Sequence, residues 1–178
     1  MSGQPTTQPI SSAREHRWTV VVALRPGQTG PLIAVHEGLS PASRRLRYSA
    51  PTPELTPRMV HVLTDLRPDH HEAYAAWRGE HPIGIARWIR TPDLPDAAEL
   101  ALEVVDAEQA RGVGRALATF AAVQACRTGV RTIIVLVDPN NVRVRVWLAR
   151  LRARALPDDA DRFAVPAQAV CGFSTGAV

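Results

Sequence analysis

Between Ala98 and Leu117 the chain reads A-E-L-A-L-E-V-V-D-A-E-Q-A-R-G-V-G-R-A-L, and the spacing of its apolar residues changes once. Leu100, Leu102 and Val104 recur at every second position, with Glu99, Glu103 and Val105 on the opposite side, the alternation of a half-buried strand. From Gly114 onward Leu117, Phe120, Ala121 and Val123 follow helical spacing, so Arg111, Gly112, Val113 and Gly114 form the turn into a helix. A strand that enters a helix through glycines has no Cβ atoms to hold a ligand off its backbone. The unpaired N–H groups of the first helical turn, with the positive end of the helix dipole behind them, suit a phosphate.

At 178 residues the chain has room for one domain with a real core. Residues 1–16 are polar and aperiodic and are expected to form a tail, leaving 17–178 as the domain. No apolar run approaches the roughly 20 residues of a membrane span, and no basic-then-apolar leader opens the chain, so the expectation is a cytoplasmic protein without a membrane partner. All 21 basic residues are arginine and the formal net charge is +4. This balance suits an anionic small ligand. It lacks the aromatic-interleaved basic stripe of a nucleic-acid binder, so no nucleic-acid partner is expected. Cys126 and Cys171 have neither metal-ligand spacing nor a disulfide framework around them and are expected to be free thiols. The six histidines include the neighbours His70 and His71, which a strand would send to opposite faces, so no metal site is expected.

In chain order, Trp18 to Leu24 reads as a first strand. A helix follows, with Thr29 as its cap and Leu32, Ile33, Val35, His36 and Leu39 on one face, stopped at Ser40-Pro41. A basic irregular stretch through Arg44, Arg45 and Arg47 precedes a second helix opened by Thr56-Pro57. His71 to Trp77 and Ile83 to Ile89 form a hairpin, and a loop over Thr91 to Pro95 leads to the strand at Ala98. The next helix ends near Gly129, and Thr132 to Val137 is an apolar strand suited to mid-sheet. A last helix is expected to turn Val142, Val146, Leu148 and Leu151 inward, and Phe163 to Val165 and Gln168 to Val170 read as short strands.

A dinucleotide fingerprint would need glycine or alanine where Leu117 stands, and a P-loop would need a lysine. Gln109 to Gly114, Q-A-R-G-V-G, instead resembles the Q/R-x-x-G-x-G/A signature of the GNAT superfamily N-acetyltransferases, and the element order from Trp18 to Arg154 is similar as well. S-P-A-S-R-R-L-R-Y (Ser40 to Tyr48) and the stretch from Ala98 to Gln109 look similar to bacterial GNAT domains that include protein lysine acetyltransferases.

The resemblance implies an α+β fold with a mixed central sheet of six to seven strands, helices on both faces, and acetyl-CoA in the gap between the fourth and fifth strands. It implies that the pyrophosphate meets backbone N–H groups of Arg111, Gly112, Val113, Gly114 and Arg115 after Gln109 and Ala110, and that the pantetheine runs along Leu102, Glu103 and Val104. Asn141 is a further candidate contact and equally a helix cap. Glu99 becomes the candidate general base, with Glu103, placed nearer the thioester, as the second catalytic candidate. The acceptor would be a primary amine of a protein or small molecule, and a homodimer is compatible with this reading. The alternative is a non-catalytic acyl-CoA sensor, because aligning on Asn141 puts Leu148 where many such enzymes carry an acid tyrosine and Arg152-Ala153 where they carry Gly-Phe. Tyr48 and Tyr74 lie far from that helix in sequence.

Overall fold

The computed structural model describes residues 20–48 and 54–172; the expected tail lies outside them. The strands are β1 (Val20–Ala23), β2 (His71–Arg78), β3 (His81–Thr91), β4 (Leu94–Val104), β5 (Thr132–Leu136), β6 (Arg154–Leu156) and β7 (Asp159–Pro166). The helices are α1 (Gly30–Glu37), α2 (Pro41–Tyr48), α3 (Pro57–Thr64), α4 (Val113–Arg127), α5 (Val142–Arg150) and α6 (Ala167–Cys171). The strands form one seven-stranded mixed sheet in the order β1-β2-β3-β4-β5-β7-β6. β4 and β5 pair in parallel, and the other neighbours are antiparallel.

Both sheet faces are covered, as patterned. One carries α4, α5 and α6, where Leu117, Ala121, Leu148, Leu151 and Val170 pack on Trp88, Leu100 and Ile133. The other carries α1, whose Leu32 and Val35 meet Ile85, with Leu63 of α3 and Val105 alongside. α4 sits close because β3 offers Gly84 beneath it: a Cβ there would lie 2.9 Å from Leu117 Cδ1 and 3.1 Å from Glu103 O. No helix among the described residues is long and apolar enough to cross a membrane.

Several local expectations are corrected. The basic stretch after Pro41 is helical: Pro41 occupies the first helical position, where its missing N–H costs nothing, and Ser40 Oγ accepts from Ser43 N at 3.2 Å. α2 buries no residue, so hydrophobic spacing gave no sign of it. Thr29 sits at the start of α1 but makes no side-chain capping bond, whereas Thr56 caps α3 by accepting from Met59 N. The loop expected over Thr91 to Pro95 shrinks to a tight turn, because β3 runs to Thr91 and β4 begins at Leu94. In α5 the inward stripe is Val144, Trp147, Leu148 and Leu151, while Val142 and Val146 are exposed. Gln168 to Val170 belongs to the short helix α6, not a strand.

Candidate active site

β4 and β5 pair only at Ala97↔Thr132, Ala98↔Ile133 and Glu99↔Ile134. Beyond that point β5 stays with β7, through Val135↔Phe163 and Leu136↔Arg162, while β4 stays with β3 out to Gly84↔Val104. From Leu100 to Val104, β4 therefore has a strand partner on one edge only. Backbone N–H and C=O groups on its other edge face a wedge, closed at Glu99 and open toward Val104, where an amide-containing chain can bond to them.

The segment after β4 turns through a short 3-10 turn (Asp106–Glu108), then Gln109, Ala110 at φ 60° and Gly112 at φ 86°. A Cβ on Gly112 would meet nothing within 4 Å, so the left-handed backbone, not lack of space, demands glycine there. Gly114 faces β4, with Leu102 and Val104 methyl groups each 3.6 Å from where its Cβ would be. Ala116 N–H bonds back to Gly112 O, and no side chain caps the helix. The amides just before it are thus the donors a helix start leaves over. The first turn of α4 holds no acidic residue, and Arg111 and Arg115 flank it on the surface. Such a donor cluster fits a pyrophosphate, and the free edge of β4 beside it fits a pantetheine.

The two candidate carboxylates share a face of β4 but occupy different surroundings. Four residues of strand separate them by about 13 Å, too far to share a proton. Glu99, at the closed end of the wedge, is partly exposed and lies 3.6 Å from Arg162 Nη2 of β7. Glu103 is buried, with its side chain 1% exposed. Its Oε2 accepts from Tyr48 Oη at 3.0 Å and lies 4.0 Å from Arg47 Nε, and Arg87 Nη2 is 3.6 Å from Oε1. Arg87 sits in the row between the two glutamates, opposite Ala101. Burial, and then the neighbouring Arg47, bring its guanidinium down to about 10, while burial followed by the Glu103 charge pushes the Tyr48 hydroxyl up to about 12. Arg47, Tyr48 and Arg87 went unrecognised in the sequence. Tyr48 is 55 residues from Glu103, and no local pattern links them.

The remaining candidates divide by how their side chains are employed. Gln109 Nε2 is engaged within the protein, donating to Val104 O (3.1 Å), Asp106 Oδ1 (3.1 Å) and Ser43 Oγ (3.2 Å). Asn141 Oδ1 accepts from Val144 N at 3.3 Å, the cap anticipated as its alternative role. Leu148 is 1% exposed in the core, so the acid-tyrosine position of α5 is filled by packing. Tyr74 Oη donates to Glu72 and accepts from Trp88 Nε1, away from the wedge. Among the described residues no cluster of three or more His, Cys, Asp or Glu could hold a metal.

Comparison with known proteins agrees with this geometry. The GNAT domain of S. lividans PAT is 25% identical with a TM-score of 0.74, the match covering 83% of this chain and 88% of that one. A mutant of the cAMP-binding acyltransferase from Mycobacterium smegmatis shares the fold at 23% identity and TM-score 0.57; the match covers 86% of this chain but only 46% of that longer one. A GNAT-family acetyltransferase from Streptococcus pneumoniae does so at 13% identity and TM-score 0.62, covering 83% and 97% of the two chains. The model of the acetyltransferase (GNAT) family matches residues 34–151, from the second half of α1 through the wedge strands β4 and β5, the glycine turn and α5, and the chain is a member of that family of acyl-CoA-dependent acyltransferases.

Proposed function

We propose that the chain transfers an acetyl group from acetyl-CoA to a primary amine, with Glu99 as the general base. The observation that carries this reading is the parting of β4 from β5 immediately after Glu99. Amides of Arg111 to Arg115 would hold the pyrophosphate, and the edge of Leu102 to Val104 the pantetheine; running from the open end toward the closed end of the wedge, it would bring the thioester toward Glu99, and not nearer Glu103 as expected from the sequence. Bound acetyl-CoA supplies the acetyl group as an activated thioester. Glu99 takes a proton from the incoming amine, and its partial exposure gives that proton a route to solvent. Arg162 supplies the counter-charge that holds the carboxylate at the closed end. Glu103, tied down by Tyr48 and two arginines, fixes the local structure instead of exchanging protons with substrate. Because Leu148 is a core residue, α5 offers no acid, and solvent protonates the departing sulfur.

Thiol release from acetyl-CoA over a panel of lysine peptides, small amines and amino sugars tests the reading, with acetyl-CoA affinity measured separately by calorimetry. Glu99→Gln is expected to lower kcat/KM by roughly 10²–10⁴-fold on the responsive acceptor while leaving affinity within a few-fold. An unchanged rate and pH profile removes Glu99 as base. Tight binding without turnover on any amine supports the sensor alternative.

A further inference from the structure

Polar contacts tie α2 to the body of the protein, together with an edge-on ring contact between Tyr48 and His36 of α1, centroids 5.6 Å apart. None of its residues is buried. Eight residues of helix have little stability of their own, since isolated helices shorter than about 12–15 residues are marginal in water. Besides that ring contact and the bond from Arg44 Nε to Leu39 O at 3.1 Å, its contacts reach one short segment, Glu103 to Gln109, which joins the end of β4 to the glycine turn. Tyr48 Oη donates to Glu103 Oε2 at 3.0 Å, with Arg47 Nε 4.0 Å from the same oxygen and its guanidinium 4.8 Å above the Tyr48 ring. Gln109 Nε2 donates to Ser43 Oγ at 3.2 Å. Burial pushes the Asp106 carboxyl up, but the neighbouring Ser40 and Ser43 outweigh it and hold the carboxyl below the usual range. Asp106 N also donates to Gly38 O at the junction of α1 and α2. Ser40, Ser43 and Arg47 fall at i, i+3 and i+7, so α2 carries a polar docking stripe where a helix ordinarily carries an apolar one.

The same segment borders both halves of the coenzyme site described above. Gln109 precedes the amides of Arg111 to Arg115, and Glu103 lies between Leu102 and Val104 on the free edge of β4. We propose that Ser43 and Tyr48 are positioning residues that latch α2 to the coenzyme loop and strand, so that coenzyme binding fixes α2 as a wall on the Glu103 face of β4. This rests on the coenzyme reading given above. Ligand contacts on the glycine turn and on β4 restrict the motion of Gln109 and Glu103. A helix anchored through those two side chains is restricted with them. The acceptor then meets an ordered wall only after the coenzyme is in place.

Hydrogen exchange on the whole chain, with and without saturating coenzyme A, tests the latch without any knowledge of the acceptor. In the wild type, amides of residues 41–48 are expected to exchange at least about tenfold more slowly with coenzyme A present. In Ser43→Ala, and more fully in Ser43→Ala with Tyr48→Phe, that slowing is expected to shrink to under about threefold. The coenzyme Kd should stay within about threefold of wild type, and the slowing at α4 should persist. Persistence at α4 shows that the variants fold and bind, and Ser43→Ala alone is mild enough to keep the test valid if the double variant does not fold. Binding of coenzyme A with no change at 41–48, or equal slowing in wild type and variants, overturns the latch and leaves the coenzyme reading intact. Absence of coenzyme A binding in calorimetry overturns both.

Discussion

Replacing Glu103 by Gln keeps the shape of the side chain and an oxygen to accept from Tyr48, and removes only the negative charge. What remains is Arg87, 6% exposed, facing Arg47 across a neutral amide. At an effective dielectric of about 20, a charge pair at the observed 3.6 Å is worth about 4–5 kcal/mol before desolvation. Removing one partner of a buried pair typically costs about 3–5 kcal/mol. The contacts to Glu103 are at 3.6 and 4.0 Å, longer than a tight bidentate pair, which places the expected loss at the lower end, about 3 kcal/mol. For a chain of this size that corresponds to a fall in Tm of about 6–12 °C. Glu99→Gln removes an exposed pair and is expected to cost less than about 1 kcal/mol. Urea denaturation of the two variants alongside wild type measures both, and Arg87→Met combined with Glu103→Gln should recover part of the loss by taking away the stranded cation. A Glu103→Gln protein within about 1 kcal/mol of wild type at unchanged m value would refute the reasoning, as would equal losses for the two glutamates.

Two further outcomes follow from groups outside the wedge. His71 is buried, its Nδ1 3.1 Å from Asp65 O, and burial lowers its pKa from 6.5. The unfolded chain then binds more protons below pH 6.5, so stability should fall as pH drops from that value toward the folded one. His71→Asn should flatten that decline, and an unaltered slope between about pH 7 and pH 5 in denaturation curves would contradict it. Cys126 Sγ of α4 and Cys171 Sγ of α6 lie 3.5 Å apart as free thiols. Burial, and then the hydrogen bond with Cys126, push the Cys171 thiol up to about 12, so an excess of a small disulfide should join the two sulfurs slowly within one chain. Mass loss of two hydrogens with a 126–171 cross-linked peptide reports the bond; purely intermolecular products would argue that the sulfurs do not meet.

The strand, glycine turn and α4 were legible because each announces itself locally: alternation in Leu100 to Val104, then glycine, then helical spacing. The middle position of β5 was legible for the same reason, as an apolar run with turn residues after it. α2 was not, since its docking stripe is made of serines and arginine and its Pro41 reads equally as a stop or a start. The surroundings of Glu103 were hidden for a different reason. Tyr48, Arg47 and Arg87 come from two other elements, and only the register Arg87↔Ala101 and Ile85↔Glu103 together with the docking of α2 brings them to one carboxylate. Periodicity also misjudged α5: its valines at 142, 144 and 146 are identical in type, and the tertiary contacts of Trp147 and Leu148 decide that only Val144 turns inward.

Three residue pairs, with one further backbone bond from Arg131 N–H to Asp96 O at 2.7 Å, ladder the β1-to-β4 half of the sheet to the β5-to-β7 half. The first half is a run of antiparallel neighbours that contains two direct hairpins, β2–β3 and β3–β4. The second half reaches it only after α4 has been laid across the face. Cohesion along this seam is therefore carried by side chains, with Leu117, Ala118, Ile133 and Leu148 at or below 1% exposure, more than by backbone bonds. On contact-order grounds the seam is expected to be the line along which the two subassemblies dock last and part first. The residues proposed for chemistry thus stand where the two halves share the fewest backbone pairs, and a substitution in the packing of α4 against the seam is expected to widen the wedge before it unfolds either half.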